Sequence, residues 1–306
     1  MPWRQVIDAE ELLDDPSVNG ERVAEWLGDH GVTDVTVQTV DGEKGSTDFV
    51  RAVIPGRDSG TAPTLGVIGR LGGIGARPEK TGFVSDGDGA LTVLAAAAKL
   101  GTMHRRGDLL AGDVVITTHV CPDAPTRPHD PVPFMDSPVD VATMNRHEID
   151  PRMQAVLSVD TTKGNRICNH QGFAITPTVK EGWILRVRED VLDVAAITSG
   201  APPVVLPITT QDITPYGNGV FHINSLLQPS VATTAPLIGV AITAETAVPG
   251  SATGASSLTS IEAAARFCIE TAKEYGAGRL HFHDEEEFAL LVETYGPLNH
   301  LRGTAA

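Results

Sequence analysis

The chain has 306 residues, 41% of them hydrophobic and 20% charged, which is enough apolar material for a sizeable core. With 39 acidic residues against 23 basic ones, the formal net charge is −16. A surface that acidic argues against nucleic acid and anionic membranes as partners, because both select basic surfaces.

Cys121, Cys168 and Cys268 are widely spaced and odd in number, so they form neither a disulfide framework nor a paired-cysteine zinc ribbon. The first ten residues lack an apolar run behind a basic head. No stretch reaches the roughly 18 apolar residues of a membrane span. A cytoplasmic protein is the expectation.

In chain order, Asn19 to Gly31 reads as a helix, with Asn19 as cap, Val23, Trp26 and Leu27 as its apolar stripe and Gly31 as its stop. Val35, Val37 and Thr39 alternate as a strand, Asp41-Gly42 turns the chain, and Phe49 to Ile54 returns. Thr64 to Gly69 is a short buried strand, followed by the glycine-rich run Arg70 to Arg77. Asp88 is placed to cap an alanine-rich helix that carries Leu91, Leu94, Ala95 and Ala98 and stops at Gly101.

Val114 to Thr118 is β-branched and uncharged, as in a strand buried on both faces. It runs into His119, Cys121 and Asp123. Residues 122–138, rich in proline, read as a rigid surface loop. Another buried strand, Met153 to Asp160, leads into the polar loop 161–172. Short strands are expected at 183–187 and 204–208, a polar loop at 209–224, and a strongly buried strand at 236–243. Thr259 with Glu262 reads as the capping box of a helix. Strand 280–283 and a last helix carrying Phe288 and Leu291 close the chain. Strands alternating with helices predict one α/β domain over 1–306, a three-layer αβα sandwich around a mixed, mostly parallel sheet.

In open α/β sheets ligands bind beyond the carboxyl ends of the strands. The residues delivered there are the candidates. His119 and Cys121, two apart, share a face of their strand and can act as base and nucleophile, with His129 as an alternative base, or as metal ligands. Asp86, Asp123 and Asp160 stand at strand ends or a helix start. Three anions brought together need a cation. Arg70, Lys163, Asn165, Arg166 and His222 are placed to hold a substrate. Arg70 and Lys163 can instead neutralise the aspartates. His129 and His222 are further candidate ligands. Structural readings compete with these: helix or turn capping for the aspartates, an inert buried thiol for Cys121.

The order of features resembles the zinc aminopeptidases and carboxypeptidases of the phosphorylase/hydrolase-like fold, from about Gly20 to Gly276. Arg70-Leu71-Gly72 sits where that pattern has His-x-Asp, Asp86 at its bridging aspartate, Pro122-Asp123 at its Glu-Glu pair and Asp160 at its third carboxylate. The loop Val248 to Ser256 lacks the pattern's last histidine. At closer range the chain is similar to the bacterial family named domain of unknown function 1177. The segments carrying that likeness are Thr117–Thr126, Val159–Arg166, Ile208–Tyr216 and Pro249–Gly254.

The resemblance implies a divalent metal, zinc first, on Asp86, Asp123 and Asp160. It also implies hydrolysis of an amide bond in a small acidic or peptide-like substrate, with His119 in place of the missing glutamate base. The first alternative is the same fold with a lost metal site, binding a small ligand or another protein. The second is a metal-free enzyme using Cys121. A homo-oligomer is expected, because the resembled folds often pair through exposed edges.

Overall fold

The computed structural model describes residues 1–70, 74–128, 133–165, 167–208 and 223–301. It opens with helices α1 (Trp3–Asp14) and α2 (Gly20–Asp29) and the hairpin β1 (Asp34–Gly42) and β2 (Gly45–Ile54). Then come β3 (Leu65–Gly69), β4 (Ala76–Arg77), α3 (Asp88–Arg105), β5 (Val114–Val120), β6 (Ala124–Arg127), β7 (Phe134–Met135) and α4 (Val141–Glu148). Next are β8 (Ala155–Thr162), β9 (Gly172–Ile175), β10 (Thr178–Lys180), β11 (Trp183–Leu185) and α5 (Glu189–Ser199). The chain finishes with β12 (Leu237–Thr243), α6 (Leu258–Gly276) and α7 (Glu285–Tyr295).

The main sheet runs β1-β2-β5-β3-β8-β12-β10-β11, with β9 also on β12. Its centre, β5-β3-β8-β12, is parallel, and the outer pairings are antiparallel. All residues of β3, β5 and β12 are buried, as their apolar, β-branched sequences require. Alternation sorts side chains between faces. Val50, Ala52 and Ile54 of β2 join the core under α1, α2, α3, α5 and α6. Val53, with Ile68 and Val115, faces the other way, toward Leu226 and Leu227 of the 3-10 helix Ser225–Val231. On that second face α4 sets Met144 against Phe49.

Several expectations are corrected. The hairpin turns at Glu43-Lys44, because Gly42 pairs with Gly45. Helix α3 runs past Gly101 to Arg105. Gly101 is there for contact: a Cβ on it would stand 2.5 Å from Val32 Cγ2 and 2.9 Å from His30 O. Asp88 is the first residue of α3 and not its cap. The proline-rich stretch holds β6 and β7, which with β4 form a small second sheet. Residues 204–208 contribute a single bridge, Val205 to Ile175. Ser257 caps α6 by accepting from Ser260 N, while Glu262 pairs with Arg266 at 2.8 Å. Segment 280–283 is not a strand, and its Phe282 carbonyl accepts from Thr178 Oγ1 at 2.6 Å.

Helix α7, capped by Asp284, buries no residue, and Leu290 and Tyr295 are 62% and 74% exposed. Arg186 and Arg188 reach its first turn through Glu287 and Asp284. No helix among the described residues is long and apolar enough to cross a membrane.

Candidate functional site

Register brings distant residues to one sheet edge. Ile68 pairs with Ser158 and Gly69 with Val159, so Arg70 N donates to Val159 O at 2.7 Å, next to Asp160. His119, next to the end of β5, pairs with Phe49. The shared carboxyl edge expected from the sequence therefore exists, but its two faces build two separate clusters.

On the α4 face, Arg70 follows Ile68 by two residues and points the same way. Its guanidinium donates to Glu148 and, at 3.2 Å and 2.9 Å, to Asn145 Oδ1 and Gln228 Oε1. His119 Nδ1 lies 2.6 Å from the other Glu148 oxygen, and Thr117 Oγ1 donates to the Glu148 carbonyl at 2.8 Å. The Arg70, His119 and Glu148 side chains are 3%, 3% and 0% exposed. Burial pushes the Glu148 carboxyl up. The Arg70 charge and the His119 hydrogen bond outweigh it and hold the acid below its ordinary value. Sequence reasoning missed Glu148 and Asn145. Asp140, which caps α4 by accepting from Thr143 N, was the available signal for that helix.

On the α3 face, Asp86 and Asp88 flank the start of the helix. Lys163 Nζ donates to Asp88 Oδ2 at 2.5 Å, with the lysine side chain 5% and the aspartate 0% exposed. Ser256 donates to the other Asp88 oxygen. The loop Val248 to Ser256 lies over both acids. Thr253 O accepts from Ser85 N at 2.9 Å, and Gly250 O accepts from Asp86 N at 3.3 Å. Gly250 is required at this contact, since a Cβ there would stand 1.8 Å from Asp86 Oδ1. Burial, then the neighbouring Asp88, pushes the Asp86 carboxyl up to about 6. The Asp88 carboxyl is also raised by burial, against the pull of Lys163.

The remaining candidates lie apart. Asp123 is 79% exposed and pairs with Arg77 at 2.9 Å. Asp160 is buried and accepts from Thr161 N at 2.6 Å. Asn165 Oδ1 accepts from Ile167 N and Cys168 N, so it shapes a turn. Cys121 is buried, its thiol donates to Ser46 O at 3.5 Å, and burial pushes it up to about 11, leaving little thiolate near neutrality. Arg166, His129 and His222 lie outside the described residues. Among the described residues, no three His, Cys, Asp or Glu side chains converge as ligands, so Asp86, Asp123 and Asp160 do not form the expected metal set. The donor chemistry does not fit a divalent ion either: a lysine ammonium sits on Asp88, and a guanidinium stands where the resembled pattern has its first histidine.

No curated protein matches the sequence. Among solved structures, the bottromycin maturation enzyme BotP is 17% identical with a TM-score of 0.51, covering 87% of this chain and 69% of that one. BotP in complex with Mn gives 16% and 0.51, with 87% and 70% covered. The LapA aminopeptidase of Legionella pneumophila gives 11% and 0.50, with 90% and 70% covered. The chain thus has the peptidase-like α/β fold. A family model described as "Protein of unknown function (DUF1177)" matches residues 38–305, and the chain belongs to that family.

Proposed function

We propose that this chain uses the peptidase-like fold as a small-ligand-binding or interaction scaffold. In this reading Lys163 and Arg70 supply from within the positive charge that a divalent ion was expected to bring. One observation carries it: the Lys163 ammonium, 2.5 Å from Asp88 and almost fully buried, lies beside Asp86 under the 248–256 loop. Removing one member of a buried pair costs about 3–5 kcal/mol, so an ion entering here must displace a cation already held by Asp88. Arg70 and Lys163, expected to orient a substrate, are directed inward to Glu148 and Asp88.

The test is metal content of protein purified without chelator, with melting curves in EDTA, Mn2+ and Zn2+. Metal well below one equivalent and an unchanged Tm are expected. A stoichiometric ion that is lost on Asp86→Asn or Asp160→Asn overturns the reading.

The second reading is the metal-dependent hydrolysis of an amide bond in a small acidic or peptide-like substrate. It draws on the Mn complex of BotP and requires Lys163 to leave Asp88. Chelator-sensitive cleavage of a dipeptide panel is its signature. Both readings keep the protein cytoplasmic and homo-oligomeric, with the net charge of −16 disfavouring nucleic acid and membranes. Light scattering on gel-filtered protein checks the oligomer.

A further inference from the structure

The main sheet has two open ends, β1 and β11. Strand β11 is three residues long, and the Tyr295 ring of α7 stands 6.4 Å from its Trp183. Strand β1 is nine residues long, and among the described residues only β2 pairs with it. Free edges are ordinarily blunted by lysine, proline or a bulge. Strand β1 has no lysine, arginine or proline, and its register with β2 runs one for one from Asp34 to Gly42. The turn fixes which of its amides face out. Gly42 and Gly45 close a two-residue turn, so they are a mutually bonded pair, as is every second pair after them through Gln38–Phe49 to Asp34–Val53. The N–H and C=O groups of Val35, Val37, Thr39 and Asp41 therefore point away from β2, and among the described residues they bond to nothing else.

We propose that β1 pairs antiparallel with β1 of a second copy of this chain, about a two-fold axis through Gln38. In this register Val37 faces the partner's Thr39 and Val35 faces the partner's Asp41, so every outward N–H meets a carbonyl. Asp34 lies opposite the partner's Gly42, and no aspartate faces another. Other registers fit worse. A slip of one residue matches outward amides with ones already given to β2, and in one direction sets Asp34 against the partner's Asp41, a like-charge pair. A slip of two leaves Val35 or Asp41 facing a residue outside the strand. The strand is thus its own complement, which is what a two-fold interface demands and what an unrelated peptide would have to match by chance. The pairing rests on the homo-oligomeric reading and assigns the surface for it.

Light scattering and non-reducing electrophoresis of the full chain, with Gln38→Cys, Thr36→Cys and Thr39→Pro, test it. Gln38 sits on the axis, where the Cα atoms of an unbonded pair are about 4.5 Å apart, within disulfide reach. The natural cysteines are buried, so the introduced thiol reports alone. Under a mild oxidant Gln38→Cys should run as a covalent dimer. Thr36→Cys should not, because its counterpart lies roughly 14 Å along the strands. Thr39→Pro removes an N–H that β2 does not use, so it keeps the fold and should shift the protein from dimer to monomer. A monomeric wild type overturns the pairing and the homo-oligomeric reading together. An oligomer that persists in Thr39→Pro, with Gln38→Cys left uncross-linked, overturns the pairing alone. Should Thr39→Pro fail to fold, the contrast between Gln38→Cys and Thr36→Cys decides: equal cross-linking, or none in an oligomeric protein, overturns the pairing.

Discussion

Lys163 and Asp88 are 75 residues apart in the chain and meet at 2.5 Å in a place closed to solvent. The pair joins the end of β8 to the start of α3. Without the ammonium, Asp88 and Asp86 face each other unneutralised. Lys163→Ala should lower stability by about 3–5 kcal/mol in urea unfolding. The freed carboxylates should then recruit a divalent ion, so Mn2+ raises the Tm of the variant and not of the wild type. Equal shifts in both would contradict the role given to Lys163.

Arg70 and Glu148 make the companion pair on the other face. Arg70→Met leaves a buried carboxylate with one partner fewer and should cost about 3–5 kcal/mol. Glu148→Gln should cost somewhat less, because the amide still accepts from one neighbour. In a double-mutant cycle the two changes should couple strongly. Simple additivity would show that the bond contributes little.

The Asp86 carboxyl gives a pH dependence with a definite sign. Its folded value of about 6 lies above the ordinary 3.8. Between these values the folded chain holds the proton more tightly than the unfolded one. Stability is therefore complete below about pH 4 and declines as the pH climbs through 6. Asp86→Asn should remove this decline. At pH 8 the variant should be more stable than the wild type by on the order of 3 kcal/mol, while at pH 4 the two should nearly match.

Gly250→Ala probes the loop over the acids. A methyl group 1.8 Å from Asp86 Oδ1 cannot be absorbed by a buried side chain, so the loop must move. A loss of about 1–3 kcal/mol is expected, together with loss of the Ser256 contribution: Ser256→Ala, destabilising in the wild type, should be silent in the Gly250→Ala background.

The central strands were legible because Val114–Val120 and Leu237–Thr243 are uncharged runs rich in β-branched residues, and the arrival of His119, Arg70 and Asp160 at one edge followed from them. The site was less legible. Which face Arg70 joins depends on α4, whose partner Glu148 lies in a segment with a weak apolar period. Asp123 looked equivalent to Asp160 as a residue at a strand end. Only the short β6 pairing carries it outward to Arg77.

Helix α7 rests on the body of the protein mainly through side-chain charges, its cap and the Phe288 ring against His283, and none of its own residues is buried. Attachments of that kind weaken as salt screens them. Amide hydrogens of α7 should exchange early, faster in high salt, while those of β5 and β12 stay protected until the whole chain opens.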